Sequence, residues 1–152
     1  MRSVSPRFFV DTNILAYAYD QSDDVRRVRA QEVLDALYRA GTGAISTQVL
    51  SELYSTMIRP RRLNLPHEAA EASIINYLRS WLVLEVRPLN VLEALRAVRQ
   101  HRFSYWDALI WATARLNGIP YVLSEDGQDG AYIEGVRNLN PLRADFDLSL
   151  VQ

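Results

Sequence analysis

Short apolar runs alternate along this chain with longer segments in which apolar residues recur every three or four positions. Runs of the first kind have strand length, and segments of the second kind have helical periodicity. The predicted strands are 7–10, 43–46, 82–86, 121–123 and 136–139. The predicted helices are 14–19, 23–40, 47–58, 66–80, 91–100 and 105–116. Strands that alternate with helices predict an α/β fold with a mainly parallel central sheet.

Two of the predicted helices differ in how their apolar residues are distributed. Segment 23–40 is amphipathic, and its apolar face is expected to contain Val25, Val28, Val33, Leu34 and Leu37. Segment 105–116 is apolar nearly all round, which is typical of a buried helix. The pattern assigns residues 1–142 to one domain and predicts no element in the tail 143–152.

Composition narrows the class of protein. The 152 residues suggest one domain, and 49% apolar with 23% charged residues is typical of a globular chain. The absence of cysteine excludes disulfides, thiolate nucleophiles and zinc–cysteine sites. No apolar run is long enough to cross a membrane, and no signal peptide is recognisable, so a cytoplasmic protein is expected.

The positive charge is carried by arginine alone. All 17 basic residues are arginine, although the net charge is −1. Arginine binds phosphate bidentately and stacks on bases, so a local cluster can engage nucleic acid. Two clusters stand out, 26–29 and 59–62, and each can serve either as a phosphate-binding surface or as an ordinary solvated surface.

Four acids occupy positions that could form a metal site: Asp11, Glu52, Asp107 and Asp126. Asp11 and Asp126 directly follow predicted strands, where α/β sheets bind ligands. Each acid also has an ordinary explanation, because Asp11 can cap a helix, Glu52 borders an apolar stripe, Asp107 completes a capping box and Asp126 lies in a polar turn. Clustered carboxylates favour a hard divalent cation, which predicts Mg²⁺, with Mn²⁺ possible.

Four sequence blocks carry a family resemblance. They are Val10-Asp11-Thr12-Asn13-Ile14, Ser51-Glu52-Leu53-Tyr54, Tyr105-Trp106-Asp107-Ala108-Leu109-Ile110 and Leu123-Ser124-Glu125-Asp126. In this order they resemble the PIN-domain nucleases, above all the VapC-type toxins of toxin–antitoxin pairs, over about residues 8–142. The resemblance implies a three-layer α/β/α sandwich and makes the four acids the metal-site residues. Many relatives carry a further Asp followed by Phe where this chain has Asp129-Gly130, so the choice between Asp126 and Asp129 stays open.

The resemblance implies a metal-dependent endoribonuclease. A metal-activated water held near Asp11 and Asp107 would attack an RNA phosphodiester and leave 5′-phosphate and 3′-hydroxyl ends. The implied partners are an RNA substrate, a cognate antitoxin and a second copy in a homodimer. The alternatives are a housekeeping PIN nuclease for RNA processing and a non-catalytic RNA-binding PIN domain. A phosphatase of the haloacid dehalogenase type is disfavoured, because Asn13 stands where that chemistry needs a second Asp.

The remaining candidate groups are expected to have ordinary roles. His67 and His101 lack any motif context for acid–base catalysis and are expected at the surface or at helix ends. Tyr54 and Trp106 neighbour the acids and are expected to pack in the core rather than to stack on a base.

Overall fold

The computed structural model describes residues 6–152. Its strands are β1 Phe8–Val10, β2 Gly43–Ser46, β3 Leu82–Leu84, β4 Tyr121–Leu123, β5 Tyr132–Ile133 and β6 Val136–Leu139. Its α-helices are α1 Thr12–Tyr17, α2 Asp24–Ala40, α3 Thr47–Ile58, α4 His67–Ser80, α5 Pro88–His101 and α6 Tyr105–Leu116. A 3₁₀ helix, Leu148–Val151, follows near the end of the chain.

The strands form one six-stranded sheet in the order β3-β2-β1-β4-β6-β5. All neighbours are parallel except β5, which pairs antiparallel with β6. The chain runs outward from β1 to β3 and then returns to β4 on the other side of β1. Because parallel crossovers are right-handed, α1 to α4 cover one face of the sheet and α5 and α6 cover the other. The predicted three-layer α/β/α sandwich is thereby confirmed.

The centre of the core lies under β1. Its three residues are almost fully buried, and Phe9 pairs with Ala44 of β2 and Val122 of β4. A parallel strand covered by helices on both faces is expected to be apolar throughout, which explains the continuous run at this position. This burial fixes the end of β1, and therefore the place where Asp11 leaves the sheet.

The structure adds one strand that the apolar pattern did not predict. β5 has only two residues, too few for a periodic signal, and it joins β6 through Glu134 and Gly135. Both turn residues have positive φ, +46° and +86°, as a tight hairpin of this hand requires. Glu at the first turn position is an unusual residue for that conformation, which is why the sequence signal was weak.

The apolar face of α2 was predicted only in part. Val33, Leu34 and Leu37 are buried as expected, but Val25 is 82% exposed and Val28 is 48% exposed, so their assignment to the core was wrong. The 17-residue helix is about 25 Å long. Its first turns lie beside the loop after β4, where Arg26 pairs with Glu125, rather than over the sheet.

The end of the chain packs onto the same helix. The 3₁₀ helix Leu148–Val151 contacts α2, and Val151 is 1% exposed. Across residues 6–152, no helix is long and apolar enough to cross a membrane.

Candidate metal centre

The candidate site lies where the strand order reverses. β1 and β4 are neighbours in the sheet, but the chain departs from them in opposite directions. Open α/β sheets bind ligands in the crevice that forms beyond the carboxyl ends of such strands. Asp11 follows β1, Ser124 follows β4, and the start of α6 brings Asp107 to the same crevice.

Three carboxylates meet in this crevice. Asp11, Asp107 and Asp126 each place a ligand oxygen within 4.8 Å of the others, and they are called the acid cluster below. Within residues 6–152, none of the three forms an ion pair with an arginine or histidine. Carboxylates this close repel one another unless a cation or a proton neutralises them. The arrangement therefore fits a bound cation of high charge density.

Asp11 is the buried member of the acid cluster, with 7% of its surface exposed. Its Oδ1 accepts a hydrogen bond from the Thr12 amide at 2.7 Å, and its Oδ2 accepts one from Ser124 Oγ at 2.8 Å. The pKa of Asp11 is raised to about 6, mainly by burial and to a smaller extent by the charges of Asp107 and Asp126, while the two hydrogen bonds oppose the shift. A cation at this place would favour the ionised form that burial disfavours.

A side-chain network fixes Asp11 to the loop after β4. Asn13 Nδ2 donates to Ser124 Oγ at 3.2 Å, and the Asp126 amide donates to the same oxygen at 3.0 Å. Asn13 Oδ1 accepts from the Glu125 amide at 3.2 Å. With two donors on its oxygen, the Ser124 hydroxyl is left to donate its own proton to Asp11. Asn13 thus orients the carboxylate through Ser124.

Asp107 lies in the first turn of α6. The Ser104 side chain accepts a hydrogen bond from the Asp107 amide at 3.3 Å, which caps the helix. The second hydrogen bond of a capping box, which the Ser104 amide would donate to the Asp107 carboxylate, is not formed in the structure of residues 6–152. The capped helix start therefore holds Asp107 rigidly while its carboxylate faces the other two acids.

Glu52 lines the same cleft but does not belong to the acid cluster. Its carboxylate accepts hydrogen bonds from Thr12 Oγ1 at 2.8 Å and from Gln48 Nε2 at 3.0 Å. Gln48 also donates to the Trp106 carbonyl at 3.3 Å, which ties α3 to the start of α6. The sequence pattern does not distinguish Gln48 from other polar residues of α3, and its spacing of four residues from Glu52 is the signal that points to it.

The rival acids of the loop after β4 are used elsewhere. Asp129 accepts a hydrogen bond from the Asn140 amide at 2.8 Å and lies 3.6 Å from Arg143 Nε. Glu125 accepts from the Tyr17 hydroxyl at 2.9 Å and pairs with Arg26 at 3.0 Å. Neither carboxylate is part of the acid cluster, whereas that of Asp126 is.

An aromatic side chain forms part of the wall of the cleft in front of the acid cluster. Trp106 lines it and is 63% exposed, so the expectation that this side chain packs in the core was wrong. As the second residue of α6 it projects over the cleft, whereas burial of the helix begins at Ala108. Tyr54 is half-buried and packs against the core as expected.

The two arginine clusters differ in their partners. Arg26 pairs with Asp23 and Glu125, and Arg27 pairs with Asp24. Arg62 lines the cleft in front of the acids, and Arg61 lines the adjoining cavity. In the part of the chain that the structure describes, neither Arg61 nor Arg62 pairs with an acid, so their charge is available to a ligand.

The histidines lie apart from the acid cluster. His101 Nε2 lies 2.6 Å from a Glu134 oxygen, and His67 Nδ1 lies 3.4 Å from the Tyr54 hydroxyl. Neither arrangement pairs a histidine with the candidate metal site.

Solved structures of similar fold include a toxin and a toxin–antitoxin complex. VapC20 of Mycobacterium tuberculosis, a sarcin-ricin loop cleaving toxin, is 25% identical, with a TM-score of 0.65 over 79% of this chain and 90% of its own. A toxin–antitoxin complex from Klebsiella pneumoniae is 19% identical, with a TM-score of 0.63 over 88% of this chain and 96% of its own. The DNA-bound VapBC of Salmonella typhimurium is 19% identical, with a TM-score of 0.61 over the same two shares.

The sequence families give a direct assignment. No curated protein sequence matches the chain. The PIN domain family matches residues 8–129, a range that contains the acid cluster and Glu52. Because this match covers well over half of the sequence, the chain belongs to the PIN domain family.

Proposed function

We propose that this protein is a metal-dependent endoribonuclease and the toxin of a toxin–antitoxin pair. The observation that carries the proposal is the acid cluster, in which three carboxylates from separate elements meet and none pairs with a cationic side chain of the described residues 6–152. A folded chain gains nothing structural from bringing unpaired charges together at its sheet edge. Such a cluster is explained by the cation that it binds.

The residues of the site fit a hard divalent cation. The donors are carboxylate oxygens, which suit Mg²⁺ and also Mn²⁺. Asp11, Asp107 and Asp126 would hold the ion, and Glu52 would hold its waters from the cleft wall. When bound, such an ion supplies a water of lowered pKa and neutralises charge on a phosphate.

The protein's own groups set up the reaction around that ion. Ser124 and the Thr12 amide hold both oxygens of Asp11, so the carboxylate presents one fixed orientation to the cleft. The capped start of α6 fixes Asp107 in the same way. Hydrogen bonds from Thr12 and Gln48 hold the Glu52 carboxylate in the wall of the cleft. There the carboxylate can accept a proton from a water in the cleft. Asp129, whose carboxylate is bonded to Asn140, is assigned a structural role.

RNA is the proposed substrate. Arg61 and Arg62, which pair with no acid of residues 6–152, provide positive charge beside the acid cluster, which is what a phosphate backbone requires. The exposed Trp106 offers a surface on which a base can stack. The similarity to VapC20, a toxin that cleaves the sarcin-ricin loop, supports RNA rather than DNA.

A protein inhibitor and a second copy are the proposed partners. The similar structure from Klebsiella is a toxin–antitoxin complex, which supports a cognate antitoxin for this chain. A homodimer is supported by α5, which exposes Leu89, Leu92 and Leu95 at a spacing that puts them on one helix face. We place the protein in the cytoplasm, where it meets RNA and an antitoxin. We propose residues 1–142 as the nuclease domain and residues 143–152 as its C-terminal tail.

The test is cleavage of structured and single-stranded RNAs by the purified protein with Mg²⁺, with Mn²⁺ and with EDTA. The expected result is metal-dependent cutting that leaves 5′-phosphate ends and is lost in Asp11→Asn. Asp35→Asn, at an exposed position of α2, is the matched control and should cut like the wild type. Cutting that persists in EDTA, or that yields 2′,3′-cyclic phosphates, would rule out this mechanism.

A further inference from the structure

A second cavity opens from the acid cluster into the protein. It has a volume of about 90 Å³, and all three acids of the cluster line it. Its inner walls are apolar and consist of Phe103, Ile110, Trp111, Val122, Ile133 and Val136. A side pocket with charged groups at its mouth and apolar groups inside is suited to a ligand that is polar at one end and flat and apolar at the other.

The walls of this pocket are held in place. The Trp111 indole donates a hydrogen bond to the Ile133 carbonyl at 3.1 Å and is 4% exposed. Its ring packs against Phe103 with 5.9 Å between the ring centroids, and the guanidinium groups of Arg96 and Arg115 also lie against it. The pocket is therefore preformed, and a ligand entering it does not have to order its walls.

Polar groups at the rim of the pocket can form hydrogen bonds with the edge of a ligand. The Gln128 side chain lines the pocket, is exposed, and makes no hydrogen bond within residues 6–152. Its amide offers both a donor and an acceptor. Asn138, also at the rim, donates to the carbonyls of Asp126 and Gln128 and so holds the loop that carries both residues.

We propose that this pocket binds a pyrimidine base of the RNA strand held at the acid cluster, an inference that rests on the proposed function. The pocket and the cleft share the three acids, so a group in the pocket lies directly beside the group that the acids hold. In RNA, each phosphate carries a ribose and a flat base with apolar faces and polar edges. The aromatic walls of the pocket can pack against the faces of such a base, and the Gln128 amide can form hydrogen bonds with its edge.

The size of the pocket selects the class of base. A closed apolar cavity of about 150 Å³ holds a benzene ring. The pocket of about 90 Å³ is smaller than this and open on one side, so it takes a single six-membered ring only part-way, through its open side, and leaves no room for the two fused rings of a purine. The pocket therefore assigns the enzyme a preference for a pyrimidine next to the cleaved bond.

The first test measures binding without cleavage. Uridine, cytidine, adenosine and guanosine 5′-monophosphates are titrated in Mg²⁺ while the Trp111 indole N–H signal is followed by NMR. The two pyrimidine nucleotides should shift this signal, and the shift should be lost in Ala131→Phe, which fills the pocket from its half-buried rim. Ala72→Phe, at an exposed position of α4 outside the pocket, is the control and should behave like the wild type.

The second test maps cut sites in a randomised single-stranded RNA. The wild type should prefer a pyrimidine beside the cut, and Ala131→Phe should lose about tenfold in kcat/KM at those sites. Ile133→Ala, which enlarges the pocket, should raise cutting at purine sites. Stabilisation of each variant by Mg²⁺ in thermal unfolding verifies that the fold and the acid cluster are intact.

The outcomes separate this inference from the proposed function. Nucleotides that leave the Trp111 signal unchanged, or that shift it equally in Ala131→Phe, overturn the pocket assignment even if RNA is cut. A preference for cutting beside purines also overturns the pocket assignment. A Trp111 signal that responds only to an apolar antitoxin peptide, and to no nucleotide, overturns it too. Loss of cutting in all proteins, with pyrimidine binding retained, would instead overturn the nuclease and leave the base pocket standing.

Discussion

Two groups of carboxylates draw residues from distant parts of this chain, and only one of them has its counter-charges built in. At the carboxyl end of the sheet, no arginine or histidine of residues 6–152 pairs with the acid cluster. Beside α5 and α6, Glu93 and Glu134 meet in an ion-pair network with Arg96, Arg115 and His101. Each group spans several elements, so chain distance does not distinguish them. The two groups differ in whether cationic side chains pair with their carboxylates.

The pKa values of the two groups move in opposite directions. Burial raises the pKa of Asp11 to about 6. The hydrogen bond from Arg96 lowers the pKa of Glu93, and hydrogen bonds from Arg96 and His101 lower that of Glu134. The ion-pair network is therefore complete within the fold and joins α5, α6 and the β5–β6 turn. The acid cluster has no such partner among residues 6–152, which is why we propose that a cation from solution neutralises it.

The sharpest way to test this difference is to neutralise one acid in each group. Asp11→Asn and Asp107→Asn should lower RNA cleavage by at least about 100-fold, because loss of even an outer partner of a metal site costs 10- to 100-fold. Glu134→Gln should leave cleavage per folded molecule close to that of the wild type. Initial rates at saturating Mg²⁺, normalised to folded protein, measure both effects. Equal losses in the two groups would contradict the comparison.

The stability of the metal-free protein should depend on the ionisation of Asp11. Its pKa is about 6 in the folded state, against an ordinary value of 3.8, so folding favours the protonated form. The free energy of unfolding should therefore fall as the pH rises from about 4 to about 6, by about 3 kcal/mol in total from this group. Asp11→Asn should remove this dependence and should be more stable than the wild type at pH 7.5 in EDTA. Urea unfolding between pH 4 and 8 measures it.

The ion-pair network gives the opposite sign in the same experiment. Because the folded pKa of Glu93 is lowered, its stabilising contribution is present above its ordinary pKa and disappears as the pH falls through the folded value. Glu93→Gln should destabilise the protein at pH 7 and have less effect in acid. A stabilising Glu93→Gln at pH 7, or a destabilising Asp11→Asn, would show that the two groups have been assigned the wrong way round.

The loop after β4 allows a comparison of two acids three residues apart. Asp126→Asn should lower cleavage by about tenfold, since it removes a charge from the acid cluster. Asp129→Asn should lower the melting temperature rather than the cleavage rate, because the Asp129 carboxylate accepts a hydrogen bond from the Asn140 amide. Cleavage rates and melting temperatures measured on both variants decide between the two acids. A rate loss confined to Asp129→Asn would transfer the metal role to it.

The smallest effect is expected at the arginines. Arg62→Ala should raise KM for RNA several-fold and reduce the salt dependence of binding, because it removes one phosphate contact. Arg27→Ala is the matched control, since its guanidinium already pairs with Asp24 at 2.7 Å. RNA binding by a catalytically inactive Asp11→Asn background at several salt concentrations measures both variants. Equal salt slopes for the two would contradict a specific phosphate site at Arg62.

Local features of the sequence predicted most of the fold. The bounds of α3, α6, β2, β4 and β6 agree with those expected, because capping residues, prolines and apolar periodicity act over a few neighbouring residues. The β5 strand and the exposed start of α2 were missed for the same reason. A two-residue strand has no period, and periodicity marks an apolar face without showing whether anything lies against it.

The sequence by itself determined which residue types are available at the ends of the strands, and hence the PIN family and its set of candidate acids. Only the tertiary structure decided that Asp126 rather than Asp129 joins the acid cluster and that Trp106 is exposed. It also decided that Arg27 pairs with Asp24, whereas Arg62 pairs with no acid of residues 6–152. These outcomes depend on contacts between remote segments, such as the Ser124–Asp11 hydrogen bond across 113 positions. Whether a charge is neutralised depends on all the groups that the fold brings within a few ångströms of it, and spacing along the chain does not specify them.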